Sequence, residues 1–342
     1  MRRVTSKKLN IVMVSPAAAE SNNGNWHTAY RWKQFLSGHC DTALCQQWPG
    51  AEAPAIAMRS PDAMVALHAR RSADSIAAWA ASHPDKPLVV VLTGTDLYRD
   101  IHTDALAQQS LALATHLVVL QQAGVAALPE AFQAKAQVIY QSAPALKHAV
   151  KSSRRFTAVM VGHLRAEKDP LTFMKAALSC AKSGIRFTQI GLPLDDALAK
   201  AATDTAQRTP HYRYLGGLPR AETRQRIKCA HVLVNASEME GGAHVILEAV
   251  QSGTPVLASR ISGNLGMLGT DYAGYFELGD AGGLSALVTR CAAEPAFLAL
   301  LQSKCSQRAA LFQPAAERRQ VNQLVLGACH QKKAIRFSPP VA

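Results

Sequence analysis

Short apolar runs recur along this chain, and most are followed by a small polar turn and then a stretch with apolar residues at helical spacing. Leu9–Ser15, Met64–His68, Pro87–Leu92, His116–Gln121 and Gln137–Tyr140 read as strands of a first set, with Ala43–Trp48 a further short one. Phe156–Gly162, Ile185–Ile190, Tyr212–Gly216, His231–Val234, Val256–Ser259 and Gly274–Leu278 read as a second set. Between them, Trp26–Leu36 places Ala29, Trp32, Phe35 and Leu36 on one helical face. Helices are also expected near 104–114, over 196–207, from Pro219 onward, and as three segments up to about Gly327. Strands alternating with helices predict parallel α/β sheets. The expected class is therefore α/β with two Rossmann-like domains, at 1–149 and 155–310. A linker around 143–155 would join them, and a helix at 311–330 and a basic tail at 331–342 would follow.

The stretch Asn235–Asn264 organises the rest. A buried strand leads into the turn Ser237–Gly242, and Val245, Ile246, Leu247, Ala249 and Val250 form the apolar face of a helix. Gly253 supplies its left-handed stop and Pro255 prevents continuation. Glu240 falls at the helix mouth, and Gly241-Gly242 leave the first backbone N–H groups open to a diphosphate. Glu248, six residues past Gly242, would lie about 9 Å along the axis, within reach of an attached ribose. A carboxylate only accepts hydrogen bonds, so it suits neighbouring sugar hydroxyls. A nucleotide sugar fits this spacing, as does a plain solvated glutamate face.

Other strand ends carry further candidates, since ligands of open α/β sheets bind beyond the carboxyl ends of strands. Gly24-Asn25 opens the first helix without a G-x-G-x-x-G pattern, which argues against a nicotinamide or flavin site. His68 and Arg70 end one strand, and Ser72 is placed to cap the next helix. Thr93, Thr95 and Asp96 end another, and Ser142 follows the last of the first set. Arg165 and Lys168, three apart in a strand-end loop, could clamp a diphosphate with a planar fork and a mobile point charge. No Asp-x-Asp pair stands in a strand-end loop, so no metal is expected.

Glu240, seven residues, Glu248, then Glu-Ala, Gly-Thr-Pro-Val and Ser-Gly-Asn resemble the donor site of retaining glycosyltransferases with two facing Rossmann-like domains, the GT-B architecture. Their Glu-Gly-Phe-Gly turn is here Glu240-Gly241-Gly242-Ala243. The resemblance puts Gly24, Asn25, Arg165, Lys168, Leu218, Gly241, Gly242, Ala243 and Glu248 on the donor, with Gly217-Leu218 at the uracil edge. It also implies that the last helix crosses back to the first domain. LHARRSADSIAAW, LTGTDLYRDI, LVVLQ, VIYQSA, GHLRAEKDP, EMEGGAHVILEA and SRISGNLGMLGTDYAGYFELGD together resemble the selenosugar synthases of bacterial selenoneine biosynthesis. That resemblance implies transfer of the sugar of UDP-N-acetylglucosamine or UDP-glucose to selenophosphate, alongside other enzymes of the pathway. Glu240 and His68 would be the catalytic groups. Arg70, Thr93, Thr95, Asp96 and Ser142 would form the acceptor side of the first domain. The residues alone stop at a nucleotide-sugar transferase. A hydroxyl-acceptor transferase with His68 as base, and a non-catalytic nucleotide-sugar sensor, remain alternatives.

Composition narrows the field. The 342 residues are ample for two cores, and the net charge is +13. The basic residues are dispersed without aromatic interleaving, so anionic small substrates account for the charge and nucleic acid is not expected. Part of the excess sits at the ends, in Arg2, Arg3, Lys7, Lys8, Lys332, Lys333 and Arg336. The seven cysteines lack a C-x-x-C pair and read as reduced, mostly buried residues. No apolar run suits a membrane span or a secretion signal, so the cytosol is the default expectation and no membrane partner is expected.

Overall fold

Among the described residues the apolar runs form twelve strands, and every pairing between them is parallel. The computed structural model describes residues 8–16, 24–50, 60–181 and 183–330. The basic tail 331–342 and Arg2, Arg3 and Lys7 lie outside them. The chain divides into two units, Met1–Gln141 with Ala315–Ala342, and Ser142–Pro314. This boundary precedes the 149 read from the sequence.

The first unit contains β1 (Leu9–Val14), α1 (Gly24–Leu36), β2 (Cys40–Cys45), β3 (Ala63–Leu67), α2 (Ala73–Ser82) and β4 (Leu88–Val91). A π-helical turn at Asp96–Asp100 leads to the short α3 (Ile101–Thr103). Then come α4 (Ala105–Leu113), β5 (His116–Val119), α5 (Glu130–Gln133) and β6 (Ala136–Val138). The sheet order is β2-β1-β3-β4-β5-β6. Both faces are covered: Ile11 and Met13 of β1 join one core cluster, Val12 and Val14 the other. That double burial explains why the strands read as unbroken apolar runs. β2 lies at 40–45 rather than at 43–48, because its pairing with β1 runs from Cys40 opposite Leu9 to Cys45 opposite Val14.

The second unit contains β7 (Thr157–Val161), α6 (Pro170–Ser179), β8 (Arg186–Ile190), α7 (Asp196–Arg208), β9 (Tyr212–Tyr214) and α8 (Arg220–Cys229). It continues with β10 (Val232–Asn235), α9 (His244–Val250), β11 (Val256–Ser259), α10 (Ser262–Leu268), β12 (Tyr275–Phe276), α11 (Ala281–Ala293) and α12 (Pro295–Arg308). Its order, β12-β11-β10-β7-β8-β9, reverses direction between β7 and β10. In doubly wound sheets that reversal opens a crevice at the strand ends, where ligands sit.

Three local readings are corrected. Pro219 is the residue before α8 rather than its first helical position. The Ser72 hydroxyl donates to the Leu67 carbonyl at 2.6 Å and makes no cap bond to α2. Ser262-Gly263-Asn264 begins a helix, α10, that the sequence reading did not include.

The last helix, α13 (Pro314–His330), buries Val321, Leu324 and Val325 in the core of the first unit. Its Glu317, fully buried, receives two bonds from Arg31 (2.8 and 2.9 Å) and one from the Trp32 indole at 2.7 Å. Three donors satisfy a carboxylate that could not otherwise leave water. Of the cysteines, five are buried, Cys329 is half-buried and Cys229 is exposed. Burial pushes Cys40, Cys45 and Cys305 up to about 11, so they are protonated packing groups.

Candidate functional site

In the second unit the reversal point is furnished by the loops that follow β7 and β10. The β7 loop turns once at Ala166–Lys168, and Asp169 then caps α6 by accepting the Thr172 N–H at 3.2 Å. Asp169 adopts φ 42°, a left-handed conformation that an aspartate tolerates better than most residues. The two loops are tied by the Glu238 N–H donating to the Glu167 carbonyl at 3.0 Å. Their side chains meet directly: Lys168 Nζ lies 2.5 Å from Glu240 Oε1.

Glu240 is almost wholly buried, and the same oxygen also accepts from the Ser237 hydroxyl at 2.7 Å and weakly from Asn235 Nδ2 at 3.5 Å. Burial alone would raise its pKa. The Lys168 charge and these hydrogen bonds outweigh burial and hold the carboxyl below its ordinary value. Glu240 is thus a fixed anion inside the fold, with its lysine partly accessible.

Arg165 provides a second cation. Its nearest carboxylate contact is Glu167 at 4.0 Å, and its Nε is buried without a hydrogen-bond partner. His163 stays neutral between these groups: burial, then the charges of Arg165 and Lys168, push its pKa down. Glu167, Asp169 and Glu240 offset these cations, so what the loop offers an anionic ligand is the two side chains Arg165 and Lys168 and not a net positive charge.

Gly241-Gly242 fall in the turn, as expected, and the helix begins at His244 after Ala243 as its capping residue. The 9 Å axial estimate for Glu248 does not apply, because it was counted from Gly242 and the helix begins two residues later. Glu248 is buried on α9 and faces α8, where Arg220 Nη2 lies 3.3 Å and Arg224 Nε 3.8 Å from its Oε1. Leu218 is half-buried just before α8, whose Thr223 hydroxyl donates to the Leu218 carbonyl at 3.3 Å. Arg220 and Arg224 were not singled out from the sequence, since nothing in their spacing separates them from a solvated basic helix face.

The glycines of this region act by close approach. A Cβ on Gly263 would sit 2.0 Å from the Glu240 carbonyl oxygen, so α10 can abut the Glu240 turn only through glycine. Gly253, at φ 71°, ends the α9 segment, and a Cβ there would meet the His148 ring at 2.7 Å.

The first-unit candidates form a different kind of group. His68, at φ 71°, is buried, and its Nδ1 accepts the Arg71 N–H at 3.3 Å. In the neutral ring the proton then rests on Nε2, which faces the Thr95 hydroxyl at 3.1 Å. Burial lowers its pKa despite Asp96, whose carboxylate lies 3.8 Å from Nδ1. His68 thus offers a donor, not the open lone pair that a base requires.

Asp96 is completely buried. Its Oδ1 accepts the Thr93 and Gly94 N–H groups, each at 2.8 Å, and its Oδ2 the Ala69 N–H at 2.9 Å. These bonds order the two strand-end loops around Asp96. Arg70 pairs with Asp104 at 2.5 Å, where Asp104 also caps α4. Gly24 and Asn25 form the first turn of α1, and the Gly24 carbonyl accepts from Thr28 at 2.8 Å. Ser142 is buried and begins the second unit. The structure brings His68, Thr93, Thr95 and Asp96 together, and turns Arg70 aside to Asp104.

Residues 145–295 match the family model of glycosyl transferases group 1. The match lies within the second unit, and Arg165, Lys168, Glu240 and Glu248 all fall inside it. Solved structures share the whole fold. Sucrose-phosphate synthase from Thermosynechococcus elongatus superposes with TM-score 0.76 at 14% identity, over 94% of this chain and 99% of that one. Anabaena HepE in complex with UDP-glucose gives 0.74 at 16% identity, over 94% and 100%. A glycosyltransferase from Rickettsia africae gives 0.72 at 12% identity, over 95% and 100%. The two six-stranded parallel sheets are those of the GT-B glycosyltransferases. Among the described residues no cluster of three or more His, Cys, Asp or Glu could hold a metal ion, and no single helix is long and apolar enough to cross a membrane.

Proposed function

We propose that the protein transfers the sugar of a UDP-sugar, UDP-N-acetylglucosamine or UDP-glucose, to selenophosphate, as a selenosugar synthase does. The donor half of this reading rests on the Lys168–Glu240 pair at the reversal point of the second sheet, within a glycosyl transferases group 1 match. HepE, of the same fold, was solved with UDP-glucose. Arg165 and Lys168 would face the diphosphate, Gly241, Gly242 and Ala243 would let it approach the backbone, Glu248 would hold the ribose, and Leu218 the uracil edge. Glu240 would orient the transferred sugar.

The observation that favours a selenium acceptor is the state of His68. A hydroxyl acceptor needs a base, and the His68 lone pair is already occupied by the Arg71 N–H. Selenophosphate is ionised and needs none. Selenium attacks the anomeric carbon, and the bond from that carbon to the diphosphate oxygen breaks, its electron pair leaving with UDP. Water then splits the Se–P bond and releases phosphate. Preorganised cations neutralise the charge that grows on the departing diphosphate, so no metal is required by this scheme. His68 and Thr95, with Asn25, Arg70, Thr93 and Ser142, would serve the acceptor.

The test is UDP release with selenophosphate, thiophosphate, phosphate or water as sole acceptor. Release with selenophosphate well above the other three, with a selenium isotope pattern in the sugar product, is expected. Turnover with hydroxyl acceptors and none with selenophosphate would instead establish an ordinary UDP-sugar transferase.

A further inference from the structure

Glu240 is held by more than its lysine. Its Oε1 accepts from the Ser237 hydroxyl at 2.7 Å. Ser237 is in turn fixed at both ends: its N–H donates to Asn235 Oδ1 at 3.1 Å, and its carbonyl accepts the Ser259 hydroxyl at 2.6 Å. Ser259 closes β11, and its carbonyl and hydroxyl accept from Asn264 Nδ2 at 2.9 and 3.1 Å. The amide donates to the Ser259 hydroxyl, that hydroxyl donates to the Ser237 backbone carbonyl, and the Ser237 side-chain hydroxyl donates to Glu240, so the relay passes through the placement of Ser237. All four polar residues are nearly inaccessible, with Ser259 and Asn264 fully buried.

Asn264 is otherwise a poor choice for this position. Its Oδ1 is buried without a partner, a destabilising feature that an apolar side chain of similar size would avoid. Its backbone carbonyl is already satisfied by the Tyr275 hydroxyl at 3.2 Å, and the neighbouring Gly263 provides the close approach to Glu240. Packing and backbone needs therefore do not call for the amide, whereas Ser259 does.

We infer that Ser259 and Asn264 are positioning residues for Glu240, acting through Ser237 to hold the carboxylate on one oxygen, against Lys168. The inference rests on the reading of Glu240 as the group that orients the transferred sugar. Anchoring the Ser237 backbone fixes where its hydroxyl reaches the carboxylate, and a donor so held both lowers the carboxyl pKa and fixes its rotamer. A geometric shift of this kind is felt in turnover more than in binding.

The experiment compares wild type with Ser259→Ala, Ser259→Thr and Asn264→Leu. Glu240 is titrated by carbon-13 NMR of glutamate-labelled protein, and kcat with UDP-N-acetylglucosamine and selenophosphate, UDP affinity and Tm are measured. In Ser259→Ala and Asn264→Leu the Glu240 midpoint should rise and kcat should fall roughly tenfold or more, with UDP affinity within a factor of about two. Ser259→Thr should restore both. Asn264→Leu, relieved of its orphan oxygen, should keep its Tm while losing turnover. An unchanged Glu240 midpoint in both variants overturns the relay, whether or not the wild type turns over. A wild type that does not use UDP-sugars overturns the donor reading alone, because the titration still decides the relay.

Discussion

The two units present polar strand ends of opposite character. In the second, Lys168, Glu240, Arg220, Arg224 and Glu248 are charged groups paired across loops and helices, with Arg165 left nearly uncompensated. In the first, a neutral histidine and a threonine sit on a buried aspartate whose oxygens are spent on backbone N–H groups. A site built from mobile charged partners can exchange an internal ion for a ligand's diphosphate. A site built from loop-ordering hydrogen bonds offers fixed donors and little charge of its own. The first arrangement suits a strongly anionic ligand, the second a polar ligand that accepts hydrogen bonds.

Lys168→Met breaks the contrast most severely, because it leaves Glu240 buried without its counter-ion. Removing one partner of a buried pair costs about 3–5 kcal/mol; with Lys168 20% exposed the loss should lie at the lower end. Urea denaturation at neutral pH measures it, and an unchanged midpoint would mean that Ser237 and Asn235 suffice. The pH dependence follows the same pair. Glu240 has a depressed folded pKa, so its stabilisation is present above the unfolded carboxyl range and is lost as pH falls through the folded value. In Lys168→Met that acid-side loss should shrink.

Glu248→Ala should weaken UDP-sugar binding by roughly 1.5–3 kcal/mol, the range for hydrogen bonds to a charged group. Calorimetry checks it, and a loss confined to turnover would move Glu248 away from the ribose.

Thr95→Val removes one hydrogen bond from His68 and should cost about 1 kcal/mol of stability. The His68 pKa is lowered by burial, so its neutral form stabilises the fold above the unfolded histidine range, and that stability falls as pH drops through the folded value. A flat stability profile across that window would show that the ring is not held neutral. Arg70→Ala, which breaks a partly exposed pair with Asp104, should cost under about 1 kcal/mol and leave UDP affinity within a factor of about two. Loss of selenophosphate use in that variant would show that Arg70 exchanges Asp104 for the acceptor.

The sequence was most legible where one physical rule acts alone. Doubly buried strands such as Leu88–Val91 announce themselves by unbroken apolar runs, and Gly253 by the left-handed stop it supplies. The Lys168 and Glu240 loops were legible as strand ends, and both lie at the sheet's reversal point. What could not be read depended on partners distant in sequence. The three backbone donors of Asp96 were not legible because they come from two different loops. The pairing of Arg70 with Asp104 was not legible because Asp104 lies a whole segment away. Arg220, Arg224, Ser259 and Asn264 gain meaning only from the side chains they meet. The distance to Glu248 was counted from Gly242, two residues before α9 begins, because pattern alone does not locate a helix start to within two residues.

The claim that the second unit holds the donor's charge with its own cations is tested most directly by calorimetry of UDP in the presence of chelator. Wild type should bind UDP with the same affinity with and without magnesium, and Arg165→Ala and Lys168→Met should each weaken it. Binding that disappears on chelation, or that is indifferent to both substitutions, would contradict the account.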